Sequence, residues 1–383
     1  MKRSEERILT THVGSLIRPP QLIDFEAARS ERRGIDTAAY LDILRDRVRE
    51  VAARQLETGI DFINDGEYGK SSWSAYIMER ISGFELRPDQ LQPLSWLGRD
   101  IERFPGFYAA EFPLAFSGMP AEVCVAPIEY GDGASIRRDI DNLVAGLDGR
   151  DPGMAFLTSV APASTAYSGI NDYYASEEEY VFAIAEALRQ EYLAIYQAGF
   201  LLQVDDAVLA NMFDALMGQG REHYRNWAQL RIDALNHALR DIPEERVRYH
   251  VCFGSWHVPH VADAPLEEIV DLILAVKAQA YSIEAANPRH EHEWRVWEKV
   301  KLPDGKILIP GVVTHHTTTV EHPRLVADRI IRFAQIVGRE NVIAGTDCGF
   351  AQSYRLQRVH PEVMWAKLQT LVEGARIASD ELW

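Results

Sequence analysis

The chain has 383 residues, 47% hydrophobic and 25% charged, which is ordinary for a soluble globular protein. Its 40 basic and 57 acidic residues give a formal net charge of −17, which argues against a nucleic-acid or anionic-membrane partner. The three cysteines are too few for a disulfide framework. Together with a charged N-terminus and no apolar run of about 18 residues, they predict a cytoplasmic protein that does not span a membrane.

The first third of the chain predicts two strands and one helix, followed by an elaborated loop region. Residues 8–15 form a β-branched run that ends in glycine and serine, and residues 37–57 show apolar residues at helical spacing. Gly59 ends that helix, and residues 60–64 predict a short strand. Residues 68–118 mix aromatic residues, proline and glycine without a regular period, so we interpret them as the loop region.

The remaining two thirds predict strands that alternate with helices. Predicted strands cover residues 122–130, 154–160, 200–204, 247–253, 280–285, 307–313 and 342–345. Predicted helices cover residues 176–198, 222–239, 266–277, 322–337 and 361–379. This alternation is typical of a parallel sheet with right-handed crossovers.

The strand candidates number one more than the eight of a (β/α)₈ TIM barrel. The extra candidate is 122–130, which has no convincing helix after it and suits a side hairpin. An open doubly wound sheet is the alternative, but no glycine-rich phosphate-binding motif follows the first strand. We therefore predict an α/β protein, a (β/α)₈ barrel with an elaborated N-terminal loop region, in which residues 1–383 form a single domain.

His250 and Cys252 lie two positions apart on the predicted strand 247–253. Side chains at that spacing point to the same face, and imidazole nitrogen and thiolate sulfur are ligands that Zn²⁺ prefers. Taken alone, such a pair is more often a satisfied core histidine beside a buried free cysteine.

Further polar residues follow other strands of the predicted barrel, at the end where TIM-barrel active sites lie. These residues are Ser15, Glu67, Asp205, Glu284, His316 and Cys348. We interpret His250, Cys252 and Cys348 as zinc ligands, with Glu284 as a weaker fourth ligand, an arrangement typical of a catalytic zinc. Taken singly, Cys348 fits a buried structural cysteine, and Glu284 fits an ion pair with Arg289.

The remaining strand-end residues suit a small zwitterionic substrate. Glu67 and Asp205 are candidates for binding an ammonium group, and Ser15 for binding a carboxylate, although ordinary ion pairing explains each acid equally well. His316 is a candidate proton donor. Its neighbour His315 competes for that role.

Several short motifs resemble those of cobalamin-independent methionine synthase. They are T-T-H-V-G-S at 10–15, D-G-E at 65–67, H-V-C at 250–252, P-G-V at 310–312 and T-D-C-G-F at 346–350. The resemblance is to the C-terminal catalytic barrel of that family and covers nearly the whole chain. It implies a (β/α)₈ barrel that holds Zn²⁺ through His250, Cys252, Glu284 and Cys348 and alkylates a thiol. It also implies that Ser15, Glu67 and Asp205 bind the thiol's amino-acid end, with His316 as proton donor.

Some features depart from the full-length enzyme, which has an additional N-terminal barrel. Residues 123–127 lack the basic residues expected for a tri-glutamyl folate, and the connection from Cys252 to Glu284 is longer and histidine-rich. That connection and the N-P-R-H-E-H-E-W run at 287–294 look like the short single-barrel branch, which includes the epoxyalkane:coenzyme M transferases.

We therefore expect a zinc-dependent thiol alkyltransferase whose partners are a small-molecule thiol and a methyl or alkyl donor. The first hypothesis is methyl transfer to homocysteine, giving methionine. The second is addition of a zinc-bound thiol to an epoxide, for which Arg18, Lys70 and Arg289 are candidates to bind a sulfonate. The third, from a different class, is a non-catalytic zinc-binding scaffold.

Overall fold

A curled sheet of seven parallel strands lies at the centre of the computed structural model, which describes residues 1–30 and 36–383. The strands are, in chain order, β1 (Leu9–Thr10), β2 (Phe84–Gln92), β3 (Met119–Cys124), β4 (Phe156–Val160), β5 (Gly169–Asn171), β6 (Leu201–Asp206), β7 (Val247–Val251), β8 (Ala280–Ile283), β9 (Ile307–Val313) and β10 (Ile343–Thr346). The order in the main sheet is β1, β10, β9, β8, β7, β6 and β4. The fold is therefore mixed α/β with a parallel sheet, as the strand-helix alternation predicts.

The two edge strands of this sheet approach each other through one further segment. Thr11 forms a parallel bridge with Phe62, and Ile63 forms a parallel bridge with Ala155. The predicted strand 60–64 is thus reduced to two bridging residues that lie between β1 and β4.

Helices connect the strands of the main sheet. They are α1 (Pro20–Ser30), α2 (Thr37–Thr58), α3 (Asp100–Arg103), α4 (Pro105–Glu111), α5 (Leu114–Ser117), α6 (Ala134–Leu147), α7 (Pro162–Ser168), α8 (Glu177–Gln197), α9 (Val208–Asn211), α10 (Phe213–Met217), α11 (Arg221–Ala238), α12 (Leu266–Leu274), α13 (Pro323–Val337) and α14 (Pro361–Leu382). Gly59 ends α2 in the left-handed conformation, with φ of 95°. Ser176 caps α8 by accepting a hydrogen bond from the backbone of Glu179. None of the described helices is long and apolar enough to cross a membrane.

The region predicted as an elaborated loop, residues 68–118, is more ordered than expected. It contains β2 and the short helices α3 to α5. Strand β2 pairs antiparallel with β3, which pairs parallel with β5 in a separate three-stranded sheet. The prediction failed for β2 because most of its residues are exposed, so they show no alternation of apolar and polar side chains. The extra strand candidate at 122–130 does lie outside the main sheet, but β3 begins earlier, at Met119.

A layer of apolar side chains fills one end of the main sheet. Its members come from the beginnings of the strands and from the bridging segment: Leu9, Phe62, Phe156, Leu201, Ala280, Ile307, Ile309 and Ile343. Packing of this kind is typical of a barrel interior. The opposite end of the sheet, where the parallel strands finish, carries the polar residues.

Candidate functional site

His250, Cys252 and Cys348 come together where β7 and β10 end. One ligand atom from each lies within 4.8 Å of the others, and the two sulfur atoms are 3.5 Å apart. The Nδ1 of His250 is hydrogen-bonded to Ser282 Oγ at 3.1 Å, whereas its Nε2 is buried without a partner. In most buried core histidines both ring nitrogens are hydrogen-bonded. Its free Nε2, beside two sulfurs, instead favours a metal site.

The pKa values of the two thiols are shifted in opposite directions. The hydrogen bond with Cys252 is the main cause that holds the pKa of Cys348 well below its usual value, and His250 adds to it. The Cys348 thiolate in turn raises the pKa of Cys252 well above its usual value. Burial lowers the pKa of His250, but the adjacent Cys348 outweighs it and raises that pKa overall.

Glu284 lies next to this group but is held by other partners. Its Oε1 accepts a hydrogen bond from Phe253 N at 3.0 Å, and its Oε2 accepts one from Asn287 Nδ2 at 2.9 Å. Its carboxylate lies within 4.8 Å of ligand atoms of His315 and Asp347, which together form a second group of possible metal ligands. Burial, with Asp347 and Cys348 nearby, raises the pKa of Glu284 well above its usual value.

The alternative ion pair between Glu284 and Arg289 is absent among the described residues. Arg289 instead donates from Nη2 to the backbone oxygen of Val261 at 3.0 Å. Among the described residues Glu284 has no ion-pair partner, and its buried carboxyl group lies beside the two sulfurs.

Asp347 connects the loops that carry Glu284 and Cys348. Its Oδ1 accepts hydrogen bonds from the backbone nitrogens of Ala285 and Ala286, both at 2.8 Å. A Cβ atom at Gly311 would lie 2.2 Å from the same oxygen, so only glycine fits there without moving Asp347. The aspartate therefore fixes the distance between two predicted ligands, a role that its position in the T-D-C-G-F motif does not indicate.

Glu67 and Asp205 are buried and face the same end of the sheet. Glu67 has a left-handed backbone, with φ of 59°, and its Oε1 accepts a hydrogen bond from Thr158 at 2.6 Å. Lys70 Nζ is 4.0 Å from that oxygen, while Glu67 Oε2 is buried without a partner. Asp205 accepts a hydrogen bond from Gln203 at 2.7 Å. Burial, opposed by His250 and reinforced by the nearby Glu67, raises the pKa of Asp205 to about 7.

Ser15 lies against the loop that contains Cys348. Its backbone oxygen accepts a hydrogen bond from Phe350 N at 2.8 Å. A Cβ atom at Gly349 would lie 2.0 Å from Ser15 Oγ, so the hydroxyl contacts the residue after Cys348. The three residues predicted to bind substrate are thus buried around the same end of the sheet as the predicted ligands.

His315 and His316 follow β9, and their ring centroids are 4.6 Å apart. His315 is fully buried with neither ring nitrogen bonded, and burial lowers its pKa well below the usual value. His316 is partly exposed, and burial, together with the nearby His260 and His257, lowers its pKa to about 4. Both rings are therefore neutral at pH 7.

A partly buried chain of hydrogen-bonded side chains links the long connection after Cys252 to the segment after β8. His260 Nδ1 is 3.0 Å from Asp263 Oδ2, and His290 Nε2 is 2.9 Å from the same oxygen. His290 Nδ1 is 2.8 Å from Glu293 Oε2. Sequence reasoning missed this chain, although the N-P-R-H-E-H-E-W run contains two of its members.

The nitrogen and sulfur donors fit Zn²⁺. Two cysteine sulfurs and one imidazole nitrogen already lie close enough to share one ion, and the imidazole nitrogen has no other partner. A carboxylate adjoins them. This geometry supports three firm ligands and a more weakly placed fourth.

Comparisons with known proteins agree on one family. The family described as "Cobalamin-independent synthase, Catalytic domain" matches residues 162–376, more than half of the chain. The uncharacterized protein YxjH of Bacillus subtilis is 26% identical over 379 residues, which cover 95% of this chain and 93% of that protein. A methionine synthase of Thermococcus kodakarensis is 22% identical over 97% of this chain and 94% of its own.

Solved structures show the same fold. A B12-independent methionine synthase from Shewanella sp. W3-18-1, in complex with selenomethionine, superposes with a TM-score of 0.73. It is 18% identical, and the match covers 98% of this chain and 99% of that one. A putative vitamin-B12 independent methionine synthase from Listeria monocytogenes has a TM-score of 0.67, 19% identity and similar coverage.

Proposed function

The chain belongs to the family of the cobalamin-independent synthase catalytic domain, and from this premise we propose that it is a zinc-dependent methyltransferase that converts homocysteine to methionine. The observation that carries the proposal is the group formed by His250, Cys252 and Cys348, with the unpartnered Nε2 of His250. The relatives named methionine synthase support the methyltransferase part of the proposal.

His250, Cys252 and Cys348 would hold the ion, with Glu284 as the fourth ligand. Bound Zn²⁺ would lower the pKa of a substrate thiol and present its sulfur as a nucleophile at neutral pH. Glu284 would be the weakest of the four ligands, because its two oxygens already accept hydrogen bonds from Phe253 and Asn287.

Ser15, Glu67 and Asp205 would orient the amino-acid end of the thiol. Glu67 Oε2 is a buried carboxylate oxygen without a partner, which makes it a suitable acceptor for a substrate ammonium group. Asp205 would add a second acceptor once the ammonium lowers its pKa again. Ser15 would donate to the carboxylate from the side of Gly349.

His316 would move the proton that the thiol releases. Because its pKa is about 4, the ring is a weak base at pH 7 and a strong acid once it holds a proton. It would therefore hold the thiol proton only transiently before giving it to the leaving group of the methyl donor. His315 is fully buried, so His316 is the better placed of the two for this exchange.

We further propose that the main sheet closes as a (β/α)₈ barrel, with residues 62–63 as its reduced eighth strand. The bridges to Thr11 and Ala155 support closure, as does the position of Phe62 in the apolar layer. A core cluster that includes residues from Ile8 to Ala378 supports a single domain over residues 1–383. The unpaired cysteines suit a reducing compartment, the cytoplasm.

Isothermal titration of the zinc-loaded protein with homocysteine, and separately with coenzyme M, tests the proposal. Binding of homocysteine with release of about one proton at neutral pH supports thiol activation at the metal. Formation of methionine from homocysteine and methyltetrahydropteroyltriglutamate or methylcobalamin then tests the methyl transfer. Preference for coenzyme M would favour the addition of a thiol to an epoxide. If no thiol binds and the metal coordination stays closed, the protein is a zinc-binding scaffold and the proposal is wrong.

A further inference from the structure

Arg358 lies on the loop that follows Cys348 and is tied to that loop in two places. Its backbone nitrogen donates to Phe350 O at 3.0 Å, and its Nε donates to Gln352 Oε1 at 2.5 Å. Gln352 is itself fixed, because its Nε2 donates to Gly349 O at 2.6 Å. The guanidinium is therefore held by the same short segment that carries Cys348.

The guanidinium lies close to the proposed metal ligands. Its Cζ is 5.2 Å from the ring centroid of Trp256, four residues after Cys252. Burial lowers the pKa of Arg358 to about 10, while the charges of Cys348 and Cys252 act in the opposite direction. The Arg358 charge also lowers the pKa of His316. The contact with Trp256 and the hydrogen bonds to Phe350 and Gln352 place the cation beside the two segments that carry Cys252 and Cys348.

Arg358 is half-buried, and part of its guanidinium has no partner. Its Nη2 is buried without a hydrogen-bond partner, and no carboxylate of the described residues lies within 4.0 Å of the guanidinium. By contrast, Arg80 pairs with Glu191 at 3.0 Å and Arg329 pairs with Glu291 at 2.9 Å. The cysteine sulfurs act on Arg358 without forming a hydrogen bond to it, and a guanidinium nitrogen buried without a partner is costly, so Nη2 points to an anionic acceptor supplied from outside the chain.

The other charged groups around the site leave few places for an anion. Glu67, Asp205, Glu284 and Asp347 are all carboxylates, and Lys70 is hydrogen-bonded to Thr158. A ligand carboxylate or sulfonate would be repelled from the acidic side of the site and attracted to the side of Arg358. Trp256 would provide a flat apolar surface beneath the same ligand.

We propose that Arg358 is a specificity-determining residue that binds the carboxylate or sulfonate of a substrate, with Gln352 orienting it and Trp256 supporting it. The inference rests on the proposed function for the identity of the reaction, and it deepens that function by giving the substrate an anionic group. The anion belongs either to the thiol or to the alkyl donor. The experiment below distinguishes these two sources.

Alkylation of the site cysteines by iodoacetate and by iodoacetamide tests the anion site directly. Both reagents form a bond from sulfur to carbon and release iodide, and they differ in that only iodoacetate carries a negative charge. Rates at Cys252 and Cys348 are measured by mass spectrometry of the protein as purified. Arg358→Gln should slow iodoacetate about tenfold or more while changing iodoacetamide little, and Arg358→Lys should keep part of the preference.

Arg355→Gln is the matched control, because Arg355 is an exposed arginine of the same loop. It should leave the rates with both reagents unchanged. Equal slowing of the two reagents in Arg358→Gln would indicate a structural role for Arg358 and would overturn the inference. Unchanged rates with both reagents would overturn it as well.

Thiol binding to the zinc-loaded protein then identifies the source of the anion. If the thiol carries it, Arg358→Gln should weaken homocysteine or coenzyme M about tenfold and leave the neutral 2-mercaptoethanol unchanged. If the donor carries it, all thiol affinities should stay as in the wild type while the iodoacetate preference is lost. A protein that binds no thiol but prefers iodoacetate would refute the proposed function and leave the anion site standing.

Discussion

Lys367 of α14 and Glu321, which follows β9, form a buried ion pair with 2.8 Å between Nζ and Oε2. Lys367 also donates to the backbone oxygen of Thr319 at 2.6 Å. Glu321 Oε1 accepts hydrogen bonds from the backbone and the hydroxyl of Thr314, at 2.8 and 2.9 Å. The pair thus closes the loop 314–321 at both ends and fixes the position of His316.

Replacing Lys367 by methionine should therefore disturb both stability and turnover. The change leaves the Glu321 carboxylate buried without a cation, which costs about 3–5 kcal/mol of unfolding free energy. Turnover should fall about tenfold or more because His316 is no longer held in place. Urea unfolding and methionine formation measure the two effects.

The double variant Lys367→Met with Glu321→Gln is the matched control for the charge. It should recover part of the lost stability, because no unpaired charge remains in the core. If Lys367→Met alone keeps wild-type turnover, the ion pair does not position His316.

Cys348→Ala should abolish tight zinc binding while the protein remains folded. The residue supplies one of the two sulfurs, whereas a chain of this size does not depend on one metal for its fold. Zinc content by elemental analysis and far-ultraviolet circular dichroism provide the measurements. Cys124→Ala, a buried cysteine outside the group, should keep full zinc content. A Cys348→Ala protein with full zinc would refute the ligand assignment.

His316→Asn should keep zinc and thiol binding but lose turnover, by roughly 10²-fold if the ring moves the proton. Titration calorimetry measures the thiol affinity, and single-turnover kinetics measure the chemical step. His315→Asn is the companion variant. A larger loss in that variant than in His316→Asn would transfer the role to His315.

The stability of the protein should depend on pH through His290. Burial lowers the pKa of this ring, but its hydrogen bonds to Asp263 and Glu293 outweigh burial and raise the pKa to about 10. The folded protein thus binds the proton more tightly than the unfolded chain, whose histidine titrates near 6.5. The resulting stabilisation is complete below about pH 6.5 and is lost as pH rises towards 10.

Comparison of wild type with His290→Asn by urea unfolding between pH 6 and pH 10 measures this effect. The variant should be less stable by roughly 3 kcal/mol at pH 6, and the difference should shrink as pH increases. His292→Asn, which changes an exposed histidine two residues away, should show no such trend. A constant difference across the range would contradict the assigned proton.

The regular elements of the fold were predictable because their signals are local. Helix α8 begins and ends within one residue of the helix predicted at 176–198. Its capping residue and its apolar spacing both lie within that one stretch of sequence, so they could be recognised without knowledge of the fold. The proposed ligands could be selected from the sequence because each one follows a predicted strand. Parallel strands bring the residues at their C-terminal ends to the same end of the sheet. Strand β2 lacked such a signal, since its side chains are largely exposed on both faces.

The residues that hold the site in place were not predictable, because each contact joins distant parts of the chain. Asp347 binds the backbone after β8, and Lys367 reaches from the last helix to the loop after β9. Arg358 lies in a loop without regular spacing of apolar residues. Its proposed role could therefore be inferred only from its position relative to Trp256 and Cys348 in the fold. Such residues can be identified only from the three-dimensional arrangement of the strands and loops.

The pairing of β1 with β10 affects how the protein is made. Leu9 pairs with Ile343, so β1 remains unpaired on this side until β10 has been synthesised, more than 300 residues later. At the usual rate of about 5–20 residues per second, this delay lasts tens of seconds. During that time the segment around Leu9 stays unpaired, and only in the last few seconds does the edge of β9 become exposed as well. Molecular chaperones that shield unpaired strand edges should therefore raise the yield of native protein during translation more than they raise the stability of the finished molecule.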